Sequence, residues 1–340
     1  MILFLAIIFF ILGFVLIFYS ADTFIDNIRD IIKVRYISPF LLGAILLGVD
    51  LEEIIASIMA SFLGYPTVAV GNVIGNTIIA LTLPFAIPAM NKAYNVKNPP
   101  RIFLITLFLL ILLYFCTFFL SLITSTVFLI SGFVSIAFYV ILLCWNVMGV
   151  KKIIQKRGQE DLEEELEGRV ELDDDEDQDD EDDDNASSKI ELRKKIMIII
   201  GSALLIALGG YFLGEGLEGI IEGVGISQHI MGYVIVAFGT NIEEFTLILK
   251  SVKKKVPEVA TGAIIMKCAW NMGVTYGISM LINWDVPILP SLIVNLIILA
   301  LTIGLFVIFI QRNRIGKKIG TGFLLVFIVY LFFNFAVLSN

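Results

Sequence analysis

Ten apolar runs alternate with short polar stretches along the chain, at 2–28, 37–62, 66–90, 101–122, 124–149, 194–224, 229–253, 256–282, 286–311 and 317–338. As helices, most are long enough to cross a hydrocarbon core of about 30 Å, which takes about 20 residues. The polar stretches follow a second rhythm. Those after runs 1, 3, 5, 7 and 9 are basic, for example Arg29-Lys33-Arg35, Lys92-Lys97-Arg101, Lys253-Lys254-Lys255 and Arg312-Arg314-Lys317-Lys318. Those after runs 2, 4, 6 and 8 carry almost no bases: 64–66, 121–124, 223–226 and 283–285. The positive-inside rule places the basic loops in the cytoplasm and both termini outside. The pattern predicts an all-α polytopic membrane protein of the cell membrane, with ten transmembrane helices. Apolar residues begin at Ile2 without a basic leader, so run 1 reads as a membrane helix rather than a signal peptide.

The same pattern predicts an internal duplication. At an offset of 191, residues 48–80 and 239–271 align without a gap and share Gly48/Gly239, Glu52/Glu243, Glu53/Glu244, Pro66/Pro257 and Gly71/Gly262, together with three apolar matches. Run 2 enters from the cytoplasm and run 7 from outside, so the predicted five-helix repeats are inverted relative to each other. The expected domains are a first repeat at 1–149, an acidic cytoplasmic loop at 150–193 and a second repeat at 194–340.

Composition changes the picture in one place. Charged residues make up 16% of the chain and hydrophobic ones 58%, against about 25% charged in a soluble domain. The net charge of −8 is local: residues 160–184 hold 18 of the 32 acids, and without that run 14 acids face 23 bases. Such a run cannot bury enough surface to fold alone and is expected to be disordered. It lacks the spaced acids and glycine of an EF-hand loop, so any divalent binding there is diffuse. The three cysteines have no metal-site spacing and are expected as small core residues. His229, the single histidine, falls in a short loop. No nucleophile–base set, phosphate loop or metal-hydrolase motif is present, which argues against an enzyme. The acidic loop and membrane setting argue against nucleic acid.

Candidate chemistry sits where the repeats carry acids at membrane depth, an expensive placement that marks function. Residues three apart share a helix face, so Asp50 and Glu53 point together, as do Asn241 and Glu244, while Glu52 and Glu243 point about 100° away. Opposed carboxylates with hydroxyl, amide and backbone oxygens suit a hard cation such as calcium. Gly48 and Gly239 allow local loosening that frees carbonyls as further ligands. Gly71 and Gly75 favour close helix packing.

The stretch Gly48–Glu53, followed by Gly71-Asn72-Val73-Ile74-Gly75-Asn76, resembles the alpha repeats of the calcium/cation antiporter superfamily, which includes sodium/calcium exchangers. The resemblance spans nearly the whole chain. It implies ten helices in inverted halves and secondary active antiport, most simply of calcium against sodium or protons. It implies Glu53 and Glu244 as central ligands, with Asp50, Thr240, Asn241, Asn76 and Asn271 as accessory ones. The partners are then the bilayer and inorganic cations, with no cofactor beyond the transported ions. Alternatives on the same fold are a monovalent cation/proton or magnesium exchanger, or a non-transporting sensor or scaffold locked by Lys267.

The chain also departs from the family pattern. Glu52 and Glu243 replace a helix-breaking proline, and Ala80 replaces a ligand. Lys267 places an ammonium where a serine oxygen is expected. Three roles are open to it: a tethered cation standing for one coupling sodium and compensated by Asp50, a proton-coupled switch, or a side chain that snorkels to an interface.

Overall fold

The computed structural model describes residues 3–31, 50–96, 101–144, 181–225, 227–253, 255, 257–287, 290–312 and 314–337. Gly48, Val49 and residues 160–180 of the acidic run therefore lie outside the described residues. The helices are α1 (Leu3–Ile31), α2 (Leu51–Phe62), α3 (Pro66–Ala80), α4 (Leu83–Asn91), α5 (Arg101–Ser121) and α6 (126–144). They continue as α7 (Glu181–Val224), α8 (228–240), α9 (Ile242–Lys253), α10 (257–282), α11 (Pro290–Ile310) and α12 (317–337).

Six stretches among the described residues are long and apolar enough to cross a membrane: Leu3–Ser20, Pro66–Asn91, Thr126–Cys144, Lys194–Val224, Pro290–Ile310 and Lys317–Phe335. The helical content and apolar surface make the chain a multi-pass membrane protein. Three of the four other expected runs carry the charged residues of the candidate site.

Two expectations need correction. Helix α7 is already helical at Glu181, where the described stretch begins, thirteen residues before the predicted 194. Cys116 and Cys144 are exposed on helix surfaces, and only Cys268 is buried. In a membrane protein the outer surface is itself apolar, so an apolar run does not separate core from lipid-facing positions. Phe4, Ile11, Phe108, Phe133, Leu204, Leu301 and Leu325 belong to that outer surface.

Helix α3 is the centre of the bundle: all fifteen of its residues are buried. Glycine makes this possible. A Cβ on Gly75 would sit 2.4 Å from the Tyr233 carbonyl, and one on Gly232 would sit 2.6 Å from the Val68 carbonyl. The backbones of α3 and α8 thus touch where a side chain would hold them apart, the usual device of membrane helix packing. The same device joins α1 to α7. A Cβ on Gly13 would lie 2.5 Å from Leu213 N, and one on Gly216 would lie 2.3 Å from Phe10 N.

Two features have no counterpart in the hydropathy pattern. Residues Tyr94–Asn95 (β1) pair antiparallel with Arg314–Ile315 (β2), with Tyr94 opposite Ile315. This ribbon ties the basic loops after runs 3 and 9 to each other. Helices α8, α10 and α12 each contain a wider π-helical turn, at Met231–Val236, Asn271–Thr275 and Phe333–Val337. Such turns leave carbonyls out of the regular ladder and recur at functional sites. Tyr114 Oη donates to the Met272 carbonyl at 2.9 Å, and Tyr330 Oη donates to the Tyr233 carbonyl. His229 lies in the first turn of α8 rather than in a loop. It is buried, with its ring 4.6 Å from that of Tyr233.

Candidate cation site

A helix boundary falls at the same aligned position in both repeats. Asp50 is extended (φ −119°, ψ 100°) and α2 begins at Leu51. Its counterpart Asn241 (φ −86°, ψ 2°) separates α8 from α9. Both boundaries form without the proline of the family pattern. In the first repeat the side chain supplies the start signal of α2: Asp50 Oδ1 accepts from the Glu53 N–H at 3.1 Å, a helix N-cap. In the second, the amide of Asn241 donates to the Ala237 carbonyl at 2.7 Å and closes the end of α8. The first turns of α2 and α9 then hold Glu52/Glu53 and Glu243/Glu244, where a helix N-terminus favours negative charge.

Lys267, buried in α10, meets both halves. Its Nζ donates to Glu244 Oε1 at 2.8 Å and lies 3.5 Å from Asp50 Oδ2. The snorkelling role is thereby excluded: Lys267 is 3% exposed, and its ammonium sits among acids. A unit-charge pair at ~4 Å and an effective dielectric near 20 is worth roughly 4 kcal/mol before desolvation. Burying the charges costs several kcal/mol each, so such a cluster is evidence of a role more than of stability. Trp270, one turn on, fixes the geometry by donating Nε1–H to the Asp50 carbonyl at 3.1 Å.

Glu53 differs from the other acids. It is 1% exposed, and neither carboxylate oxygen has a hydrogen-bond partner among the described residues. Asp50, Glu244 and Lys267 are within electrostatic reach of it. Ser57, one turn along the same face of α2, accepts from Asn72 Nδ2 at 2.9 Å.

A neutral network adjoins the charges. Asn76 Nδ2 donates to Thr240 Oγ1 at 3.0 Å, while Asn76 Oδ1 accepts from Asn271 Nδ2 at 3.3 Å. The Asn76 carbonyl accepts from Asn241 Nδ2 at 3.3 Å. Thr275 closes the chain on Asn271 Oδ1 at 3.2 Å. Asn76, Thr240, Asn241 and Asn271 thus come together, as do Asp50, Glu244 and Lys267. Among the described residues no three acidic, His or Cys groups are spaced to hold a metal on their own. Glu52 is buried, whereas the side chain of Glu243 lies outside the described residues.

Trp270, Ser57 and Thr275 were not legible as site residues. Trp270 reads as an apolar anchor and the two hydroxyls as ordinary helix positions. A cavity of about 290 Å³ reaches Asn241 between α4 and α9, lined mainly by Ile79, Leu83, Phe238 and Phe245.

Buried charges at helix ends inside an apolar bundle define a membrane ion carrier. The model of the sodium/calcium exchanger protein family matches residues 5–148 and again 194–336, and the chain belongs to that family. It is a membrane cation antiporter, not an enzyme. It is similar to the uncharacterized membrane protein MJ0091 of Methanocaldococcus jannaschii, 26% identical over 325 residues, 94% of this chain and 95% of that one. It is also similar to CaxA of Alkalimonas amylolytica, 25% identical over 97% of this chain and 99% of that one. A solved structure of the sodium-calcium exchanger NCX_Mj, soaked with 10 mM Na+ and 10 mM Sr2+, superposes with a TM-score of 0.59. It is 21% identical and covers 97% of this chain and 98% of that one. At that identity the likeness establishes the fold.

Proposed function

We propose that the protein exchanges calcium for sodium or protons by alternating access, with the transported ion held between Glu53 and Glu244. The carrying observation is Glu53. A buried carboxylate without a hydrogen-bond partner is costly to hold, and a bound cation offsets that cost. Accessory oxygens would come from Asp50, Thr240, Asn241, Asn76 and Asn271. An irregular set of mixed oxygens suits calcium, which tolerates six to eight ligands, better than magnesium, which demands a near-ideal octahedron.

The topology belongs to the same proposal: ten spans in two inverted repeats of five, both termini outside and the acidic loop cytoplasmic. The helix boundaries at Asp50 and Asn241, 191 residues apart, support the duplication. The β1–β2 ribbon supports a common side for two of the basic loops.

The test is uptake of radiolabelled calcium into vesicles holding the purified protein, under an imposed sodium or proton gradient. Gradient-driven uptake that Glu53→Gln abolishes is expected. Uptake that ignores both gradients, or that survives Glu53→Gln unchanged, overturns the reading. Sodium flux against protons without calcium would point to a monovalent exchanger.

A further inference from the structure

Two cavities share one pair of helices. The 290 Å³ cavity that reaches Asn241 takes Leu83 and Ile87 from α4, and Ile242 and Phe245 from α9. A second cavity, of about 610 Å³, takes Asn91 and Lys92 from the end of the same α4, and Leu249, Val252 and Lys253 from the end of the same α9. Lys255, in the turn that follows, and Glu258 on α10 complete its charged lining. Both helices run from the first cavity to the second, so the two are successive stretches of one groove. Ile242 and Lys253 are eleven residues apart, about 16 Å along the helix. That is about half of a 30 Å hydrocarbon core, the depth of one leaflet.

We propose that this groove binds an anionic phospholipid, with its phosphate among Lys92, Lys253 and Lys255 and one acyl chain laid along α4 and α9 toward Asn241. The binding stands on the groove, not on which ions the protein moves.

Each end of the groove matches one end of that molecule. Leu83, Ile87 and Phe245 are half-buried, while Phe238 and Ile242 are exposed. The narrow end therefore opens on the outer surface, where hydrocarbon is the neighbour. At the wide end the three lysines are exposed and outnumber the one acid of the lining, Glu258. The β1–β2 register sets Arg314 opposite Asn95, itself a lining residue, so a further base borders the mouth. Basic clusters at a membrane face attract anionic headgroups. A free anion fits the wide end alone and leaves the apolar slot unused. An acidic peptide matches the lysines alone: carried into the slot, its backbone polar groups would go unsatisfied at membrane depth.

The backbone at Lys255 points the same way. Helix α9 ends at Lys253, and Lys255 closes the turn with its N–H on the Val252 carbonyl at 3.2 Å and its φ at 61°. That left-handed position after a helix usually falls to glycine, which adopts it freely. A lysine there strains the backbone and adds a cation to the cavity.

The experiment is lipid binding to the purified full chain in neutral detergent, counted by native mass spectrometry. Three probes are titrated: dioleoyl phosphatidylglycerol, dioleoyl phosphatidylcholine with the same chains and no net charge, and glycerol 3-phosphate without chains. Phosphatidylglycerol should bind roughly 100-fold more tightly than phosphatidylcholine, at about fivefold per lysine. Glycerol 3-phosphate should bind far more weakly than phosphatidylglycerol, because it has no chain to bury. Lys255→Gly should weaken phosphatidylglycerol binding about fivefold without lowering the melting temperature, since glycine suits the turn. Lys253→Gln should weaken it about as much. Ile87→Trp, which fills the slot, should weaken both lipids at least about tenfold and leave the preference between them in place. Equal binding of the two phospholipids, or no effect of Lys255→Gly and Lys253→Gln, overturns the proposal. So does glycerol 3-phosphate bound as tightly as phosphatidylglycerol, which would make this a free-anion site. A folded Ile87→Trp variant that binds like the native chain overturns it as well. If that variant does not fold, the glycerol 3-phosphate comparison still tests the slot.

Discussion

One contact is made twice in this molecule, once with charge and once without. In the first, Lys267 of the second half lies 3.5 Å from Asp50 at the start of α2 in the first. In the second, Asn76 of the first half accepts through its carbonyl from Asn241, between α8 and α9 of the second, at 3.3 Å. Asp50 aligns with Asn241 and Asn76 with Lys267. Of the two aligned contacts one is an ion pair and the other is neutral. Acid and base sit on opposite halves, so the ion pair adds no net charge to the cavity they share. A charge introduced alone would have cost far more than the pair.

The largest expected effect separates the carboxylate without a protein partner from the paired ones. Glu53→Gln removes a unit charge beside the ion, worth at least ~3 kcal/mol, and should lower gradient-driven flux more than about 100-fold. The same variant should leave unfolding stability in ion-free detergent within about 1 kcal/mol of the native protein, because Glu53 makes no hydrogen bond that the amide would lose. A melting temperature lowered by more than this would mean that Glu53 has a structural partner.

Next comes the charged contact itself. Lys267→Met strands Asp50 and Glu244 and should cost about 3–5 kcal/mol in unfolding. D50N/K267M should recover a good part of it, and a double-mutant cycle should give a coupling of at least ~1 kcal/mol. Additive effects would break the comparison.

The neutral contact should matter less. Asn76→Ala leaves Thr240 and Asn271 short of partners and should cost about 1–3 kcal/mol. Smallest is Trp270→Phe, which removes one donor to the Asp50 carbonyl, for roughly 0.5–1.5 kcal/mol. A loss as large as that of Lys267→Met would show that the indole, not the lysine, holds the two halves together. Thermal unfolding in detergent measures all three.

Much of this was legible in the sequence. Hydropathy located the helical runs, and the 191-residue offset located the paired acids, because bilayer length and burial of charge leave few options. The helix boundaries were harder to see. Glu52 and Glu243 stand in place of the helix-breaking proline, yet α2 starts at Asp50 and α8 ends at Asn241 through their own side chains, by short-range hydrogen bonds that hydropathy does not register. The ribbon of Tyr94–Asn95 with Arg314–Ile315 is two residues a side, too short for any periodicity. The π-turns depend on tertiary partners such as Tyr114 and Tyr330. The choice of Glu244 by Lys267 depends on how α9 and α10 meet, which spacing along one helix cannot give.

The glycine contacts between α1 and α7 carry a mechanical meaning. Their backbones interlock at Gly13 and Gly216, so neither helix can slide along the other without collision. Toward the rest of the described molecule α7 presents a softer face. Beyond its Gly210 and Gly214 lie the side-chain ends of Ile55 and Met59 on α2, and methionine is the most adaptable of packing residues. The pair is therefore built like a stiff splint on a lubricated bearing. Shear between packed layers takes the plane of least interlocking, and here that plane runs along α2, the helix that begins at Asp50 and carries Glu53.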